Sequence, residues 1–481
     1  MGGKPLEALG VPYQAYYSAV GEIRLHGEGP DGSTQPAKEP RAGHVGLGKH
    51  EPTSLRGIAK RARESKDHRF QNLYQCLNDD FLRACWLDLN KDAASGVDGV
   101  TAAQYRENLE ENVQDLVRRL KNKCYRARPV RRCYIPKDNG KERPLGIPAL
   151  EDKLVQLACA KLLTAIYEQD FLDFSNGYRP NRSAKETVAD LTFNLQYGCY
   201  GYMVEADIKS FFENLDHDQL LKMLAQRIDD QAFLSLIRKW LKAGILDTDG
   251  AILDPETGTP QGGVISPILA NAYLHYALDL WFENVVKKHV GGEAMICRYA
   301  DDFVCAFRFR EDAESFYRVL PKRLGKFGLE VAPEKTQVLR FSRFHPSMKR
   351  RFTFLGFEFY WYPDRQGEMR VIRRTSRKRL QGACRRIKEW IRDNRHLKGK
   401  QFIQELNRRL QGHHHYYGLR GNSASLYRFY TWAKACAFKW LNRRGGKRKS
   451  FTWKAFERAL TRLGIALPVI TEVKRQHVVY A

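Results

Sequence analysis

Met295-Ile296-Cys297-Arg298-Tyr299-Ala300-Asp301-Asp302-Phe303-Val304-Cys305 sets two adjacent acids between two apolar runs. Short apolar runs on either side of turn residues read as strands, so residues 294–308 are expected to form two strands around a tight turn at Ala300-Asp301-Asp302. Neighbouring carboxylates on a hairpin tip repel each other unless a cation lies between them. Mg²⁺ takes oxygen ligands in octahedral geometry and leaves some positions to water or phosphate. Two such ions can stabilise both the attacking and the leaving oxygen of a nucleotidyl transfer. The competing reading is a hairpin turn that merely favours Asp, and the pair alone does not exclude it.

A third carboxylate is needed nearby. Val204-Glu205-Ala206-Asp207-Ile208 lies in a stretch, 201–208, apolar enough for a buried strand ending at Asp207. Between the two acidic segments, residues 215–245 read as helical, and Pro260-Gln261-Gly262-Gly263 precedes a further helix over 266–288. Residues 125–150 are extended and punctuated by Pro129, Pro136, Pro144 and Pro148, and 151–171 are helical. Between Thr101 and Lys123, the residues Tyr105, Leu109, Val113, Leu116 and Leu120 fall on one helix face, with Thr101 and Gln104 as a capping box. Gly96-Val97-Asp98-Gly99 reads as a turn before it. Downstream, 311–328 reads as helix and 352–360 as a strand. From 373 the pattern is mostly basic helices. The mixture predicts an α+β catalytic body followed by a helical domain. Residues 1–53, rich in Gly, Pro, His and charge, read as a flexible leader or as an artefact of the assigned start site.

The charge is unevenly spread. The chain carries 81 Lys+Arg against 55 Asp+Glu, a net of +26. Residues 373–481 hold 28 of the cations and 5 of the acids, a net of +23, which leaves +3 for residues 1–372. Such a surplus calls for a polyanionic partner, nucleic acid or an acidic membrane surface. A solvated helix face is the alternative, and the one-sidedness of the surplus argues against it. No apolar run approaches the length of a membrane-spanning helix. None of the ten cysteines forms a Cys-x-x-Cys pair, so they read as buried or free thiols in a reducing compartment. The start lacks a basic-then-apolar export signal. His413-His414-His415 suggests RNA contacts before it suggests zinc, since successive residues share no face. Tyr416, Tyr417, Tyr427, Tyr430, Trp432 and Trp440 are interleaved with Arg and Lys, which suits stacking on bases, with helix-core packing expected for about half of them.

Several blocks in a fixed order then become specific. Tyr299-Ala300-Asp301-Asp302 resembles the YADD box of reverse transcriptases, and Asp207-Ile208-Lys209-Ser210-Phe211-Phe212 resembles the first metal-binding block of the same palm. Gln261-Gly262-Gly263-Val264-Ile265-Ser266-Pro267 resembles the block between them. Arg143-Pro144-Leu145-Gly146-Ile147-Pro148, Gly177-Tyr178-Arg179-Pro180 and Arg182-Ser183-Ala184 resemble fingers segments. Glu334-Lys335-Thr336 and Phe354-Leu355-Gly356-Phe357 resemble the last two palm blocks. Leu406-Asn407, Leu410-Gln411-Gly412, Tyr416-Tyr417-Gly418, Arg443-Arg444, Thr452-Trp453 and Phe456 resemble a thumb/maturase region. Over residues 54–481 the chain is similar to the group II intron reverse transcriptase/maturase family.

The resemblance implies a right-hand polymerase: fingers and palm with an antiparallel palm sheet over 54–372, an α-helical thumb/maturase domain over 373–445, and a short basic nucleic-acid-binding segment over 446–481. It implies an RNA-directed DNA polymerase that binds group II intron RNA and assists its splicing and mobility, with RNA template, DNA primer and dNTPs as partners. The expected localisation is cytoplasmic in a bacterium, nucleoid-associated on target DNA, without a membrane partner. Asp207 and Asp301 are expected to ligate two Mg²⁺ ions, Asp302 to be a secondary ligand, and the Ile208 carbonyl to complete one shell. Lys137 and Arg143 offer charge to the triphosphate. Phe212, with Phe211 as the next suspect, is expected to fill the space of a ribose 2′-hydroxyl, and Gln261 and Gly262 to lie against the incoming nucleotide. Lys335 either protonates the leaving pyrophosphate or is a structural salt-bridge residue. Arg443, Arg444, Lys447, Arg448 and Lys449 are the candidate RNA contacts. The family often carries a C-terminal endonuclease with His-Asn-His and paired cysteines; no such pattern is present, so a form priming from a nick or a replication fork is expected. A domesticated relative in defence, CRISPR spacer acquisition or DNA repair would carry the same polymerase blocks. Pro267, where a diversity-generating retroelement enzyme tends to carry Gln, argues against that group. The intact Asp triad argues against a splicing factor with a dead polymerase, and Phe212 against an RNA-dependent RNA polymerase.

Overall fold

The computed structural model describes residues 54–136, 142–248, 250–253, 257–259, 262–444, 450–473 and 476–480. The expected leader, Lys137, Gln261, Lys447, Arg448 and Lys449 lie outside them.

Four capped or charged helices open the chain: α1 (Leu55–Glu64), α2 (Asp79–Asp88), α3 (Ala102–Glu107) and α4 (Leu109–Lys121). The Thr101–Gln104 capping box forms as expected. The single helix expected over 101–123 does not. Asn108 takes φ −125° and ψ 43°, outside the helical range, and breaks it in two, although Tyr105, Val113, Leu116 and Leu120 are all buried. β1 (Val130–Pro136) and β2 (Glu142–Ile147) then pair antiparallel from Arg131↔Ile147 to Pro136↔Glu142. α5 (Leu150–Tyr167) is buried around most of its circumference and runs through the interior.

α6 (Ala184–Tyr197) starts at a second capping box, Ser183 with Glu186. β3 (Tyr202–Ala206) and β4 (Ile208–Lys209) follow, so the strand expected over 201–208 is interrupted at Asp207 and its two parts join different sheets. The helix expected over 215–245 is also two, α7 (His217–Leu224) and α8 (Gln231–Leu241), because the Asp230 carboxylate accepts the Phe233 N–H and starts a new one. Two short strands, β5 (Ile245–Leu246) and β6 (Ile252–Leu253), extend the β1–β2 ribbon. α9 (Ser266–Leu274) continues through two π-helical stretches, His275–Asp279 and Phe282–Val286.

β7 (Ala294–Tyr299) and β8 (Asp302–Phe307) form the expected hairpin. α10 (Arg310–Gly325), β9 (Glu330–Val331) and β10 (Gln337–Arg340) lead to an antiparallel sheet in the order β10-β3-β8-β7. The strand expected over 352–360 is a hairpin, β11 (Arg351–Phe354) and β12 (Phe357–Pro363). Leu355 and Gly356 both take left-handed φ, 49° and 78°, and turn the chain there. β13 (Met369–Thr375) completes that sheet.

Four further helices, α11 (Arg377–Asp393), α12 (Gly399–Tyr417), α13 (Ser423–Leu441) and α14 (Trp453–Arg462), pack around their own core of Leu380, Ile387, Ile391, Leu406, Leu410, Phe429 and Phe456. The fold is thus a mixed α/β body with antiparallel sheets followed by a helical bundle. Among the described residues no helix is long and apolar enough to cross a membrane.

Candidate active site

The sheet brings the three acids together by register. β3 and β8 pair antiparallel down to Ala206↔Phe303, and one step further the same register sets Asp207 opposite Asp302. Tyr299↔Asp302 closes the β7–β8 hairpin, so Ala300 and Asp301 form a two-residue tip. Ala300 takes φ 57°, a left-handed conformation. Such a tip needs support, because Ala lacks the conformational freedom of Gly.

Arg298 supplies that support. It is a fully buried cation, and each of its five N–H donors is used. Its Nη1 donates to the Ala300 carbonyl at 2.9 Å and to Asn271 Oδ1 at 3.1 Å. Its Nη2 donates to Ser175 Oγ at 2.6 Å and to the Asp279 carboxylate, which also accepts from Nε at 2.7 Å. Asp279 lies in the first π-helical stretch and is as buried as Arg298. From the other side Gly177 lies against the tip: a Cβ there would run into the Ala300 amide nitrogen, with Tyr299 C the next atom at 2.8 Å. Asn271 joins the two supports, since its Nδ2 donates to the Gly177 carbonyl at 2.7 Å.

Asp207 is held separately. Its carbonyl accepts the Ala332 N–H at 2.8 Å, and Ile208, with a buried side chain, pairs with Val331. The 3₁₀ turn Pro333–Lys335 brings the Lys335 ammonium onto the Asp207 carboxylate as an ion pair. The environment pushes both hairpin carboxyls above the usual carboxylate range. For Asp301 the main cause is loss of surrounding water, with the Asp207 charge adding and Arg143 and Arg298 opposing. Asp302 is raised to about 7 by the same desolvation and by the charges of Asp301 and Asp207, against Arg379 and Lys335. Its carboxyl stays open to the cleft, so the surrounding protein mass, not sealing from solvent, produces the effect. Three neighbouring oxygen-donor acids, two of them with raised carboxyls, suit a hard divalent cation. Among the described residues no His, Cys, Asp or Glu side chains stand as a finished metal-ligand set. Lys335 neutralises Asp207 in this arrangement.

Residues 135–359 match the family model described as reverse transcriptase (RNA-dependent DNA polymerase). The chain is 34% identical over 315 residues to Protein YkfC of Escherichia coli (strain K12), an alignment covering 58% of this chain and 78% of that protein. It is 38% identical over 223 residues to the group II intron-encoded protein LtrA of Lactococcus lactis subsp. cremoris, covering 46% of this chain and 37% of LtrA. It is 37% identical over 217 residues to an uncharacterized 91 kDa protein in the cob intron of Schizosaccharomyces pombe, covering 45% of this chain and 26% of that protein. The chain belongs to the group II intron reverse transcriptase/maturase family. The matched domain is that of an RNA-dependent DNA polymerase, a class that uses divalent metal ions.

In this reverse transcriptase the remaining candidates divide by location. Arg143 lies in β2 opposite Ile135, and its charge is felt at Asp301. Gly262 takes φ 120° and backs onto the same strand; a Cβ there would meet the Gly146 carbonyl oxygen at 2.6 Å. Gly262 therefore packs on the strand that carries Arg143, the residue whose charge reaches the acidic tip. Phe211 is buried, whereas Phe212 is half-buried with its ring edge-on to Phe211 and to Tyr178. The Phe212 carbonyl accepts the Thr259 N–H at 2.8 Å, which ties that turn to the loop ahead of Gly262.

Sequence reasoning missed Arg298 and Arg379. Arg379 sits in the first turn of α11, yet its charge reaches Asp302. The signal available was the basic run Arg377-Lys378-Arg379 directly after a strand.

Of the expected RNA contacts that are described, Arg443 is exposed and stands over the Trp440 ring at 5.7 Å, while Arg444 is half-buried and donates to the Leu397 carbonyl at 3.2 Å. Arg395 also stands over Trp440, at 5.7 Å. Tyr427 and Trp432 are exposed. Tyr416 and Tyr417 instead pack on Phe357, and the Tyr416 hydroxyl donates to the Leu355 carbonyl at 3.0 Å. His413 is buried against Phe429, with 3.9 Å between ring centroids.

Proposed function

We propose that this chain copies RNA into DNA using Asp207, Asp301 and Asp302 as its metal-binding acids, and that it binds a group II intron RNA to assist splicing and mobility. The observation that carries the reading is the convergence of three acids, from two adjacent strands, on the tip that Arg298 buttresses. Two Mg²⁺ ions, ligated by Asp207 and Asp301 with Asp302 secondary and the Ile208 carbonyl completing one shell, would supply charge neutralisation for nucleotidyl transfer. Arg143, already within electrostatic reach of Asp301, and Lys137 would hold the triphosphate. Gln261 and Gly262 would back the nucleotide. Phe212 would exclude a ribose 2′-hydroxyl. Lys335, raised in pKa chiefly by its hydrogen bond to Asp207, stays protonated and can hand a proton to the departing pyrophosphate when phosphate competes for it. In right-hand polymerase terms residues 54–372 would be fingers and palm and the bundle the thumb/maturase domain. The basic bundle would hold intron RNA, in the cytoplasm and on nucleoid DNA during mobility.

Replacing both Asp301 and Asp302 by Ala tests the assignment. Primer extension on an RNA template is expected to be abolished while binding to that RNA survives, because binding rests on the basic bundle. Mg²⁺-dependent extension persisting in a clean preparation of the double variant would sink it.

A further inference from the structure

Beyond α14 none of the described residues forms a helix or strand, yet residues 471–472 and 477–480 return to the catalytic body. The Thr471 and Glu472 N–H groups both donate to the Gly418 carbonyl, and Glu472 pairs with the buried Arg373 at the end of β13. Residues 477–480 then lie along α6. His477 Nδ1 is 3.0 Å from Asp190 Oδ1, and its ring stacks on Phe193 with centroids 4.9 Å apart. The Val478 N–H donates to Asp190, Asn194 donates to the Val478 carbonyl at 2.8 Å, and the Tyr480 N–H donates to Asn194 Oδ1 at 2.9 Å. Asp190 and Asn194 are buried polar side chains in a helix that otherwise faces the core, and the tail answers them.

Tyr480 lies beneath the acidic hairpin. Tyr480 is 2% exposed, and its hydroxyl lies 3.3 Å from Asn176 Nδ2 and within hydrogen-bond reach of Cys297 in β7. Asn176 is the backbone partner of that strand: its N–H donates to the Arg298 carbonyl at 2.9 Å, and the Arg298 N–H donates to the Phe174 carbonyl at 2.9 Å. Gly177, next in the chain, is the residue against which the Ala300 tip rests.

We propose that Tyr480 is a positioning residue for the polymerase site. Its ring and hydroxyl wedge the 174–177 segment against β7, which holds Arg298 and so sets the Ala300–Asp301 tip. The segment expected to be a basic nucleic-acid contact thereby also contributes to the frame of the catalytic acids. An acid that has to be held to within a fraction of an ångström is sensitive to the packing behind it.

The proposal rests on Asp301 and Asp302 being the metal-binding acids. The experiment compares the full-length parent, Tyr480→Ala and, as control, Val479→Ala, whose parent side chain is exposed. The readouts are single-nucleotide extension rate against Mg²⁺ concentration, template–primer Kd, and hydrogen exchange of peptides containing Asn176 and Arg298. Tyr480→Ala is expected to cut the rate by about tenfold or more and to raise the Mg²⁺ needed for half-maximal rate. It should speed exchange at Asn176 and Arg298 while leaving exchange in α1 and α5 and the template–primer Kd at parent values. Val479→Ala should match the parent throughout. If Tyr480→Ala does not fold, Tyr480→Leu, which keeps an apolar filling, is judged by the same readouts. Parent-like Mg²⁺ dependence and parent-like exchange at Asn176 and Arg298 in the folded variant would overturn the proposal. A parent protein inactive in extension would instead overturn the underlying metal-site reading.

Discussion

At Phe212 a half-buried ring stands at the mouth of the turn that follows Asp207, braced by Phe211 and Tyr178. If that ring fills the space of a 2′-hydroxyl, Phe212→Ala will admit ribonucleotides that the parent rejects, shifting the rNTP-to-dNTP incorporation ratio by about tenfold or more. Single-nucleotide extension measures the ratio, and an unchanged value would make the ring a packing residue. Gly177 gives a sharper steric test. A methyl group there has no room beside the Ala300 amide, so Gly177→Ala must displace the acidic tip. Extension is expected to fall by about a hundredfold with template–primer affinity kept, and a variant that extends at the parent rate would show that the tip tolerates movement. The hairpin that carries Asp301 and Asp302 was legible in the sequence because a carboxylate pair between apolar strands is a local pattern. Arg298 was not. Its partners, Ser175, Asn271, Asp279 and Ala300, come from separate segments, and no spacing along the chain announces that they meet.

Among the elements, α12 carries an unusual interior base. His413 is stacked on Phe429, and its Nε2 finds no hydrogen-bond partner among the described residues. Burial holds its pKa down to about 3, with the charges of His414 and Arg386 adding. The unfolded chain takes up this proton near 6.5 but the folded one does so only near 3, so stability is full above 6.5 and is lost as pH falls through that window. His413→Phe keeps the stacked ring and removes the titration. Between pH 7 and pH 5 the parent is expected to lose about 2 kcal/mol more unfolding free energy than the variant, by denaturant melts of the full-length protein. Equal losses would mean that the imidazole is hydrated. The elements were legible where periodicity was strong, as in the β7–β8 hairpin and α10. They failed where one residue changed the backbone: Asn108 splitting a helix, Asp230 starting a new one, and Leu355 taking a left-handed φ that branched apolar residues disfavour.

For the whole molecule, the charge asymmetry sets the expected division of labour. Phosphate contacts release counterions, so affinity for a large folded RNA falls steeply with salt. Neutralising Arg443, Arg444, Lys447, Arg448 and Lys449 is expected to weaken intron RNA binding and to flatten its salt slope by up to about five, close to one per lost phosphate contact. Protein-assisted splicing should fall more than extension of a short annealed primer, both measured on one variant at two salt concentrations. Splicing untouched while extension collapses would assign this surface to the polymerase cleft. The surplus was readable from composition; the route of the chain after the bundle was not, because docking of residues 477–480 depends on Asp190 and Asn194, nearly three hundred positions earlier. That route changes what kind of object the bundle is. Pinned at β13 on one side and at α6 on the other, it is a handle and not a tail. A tail tugged by a bound RNA pivots freely about one joint. A handle can only swing about the line through its two pins, so a load on it is felt at both, and one of those pins is seated under the acidic hairpin.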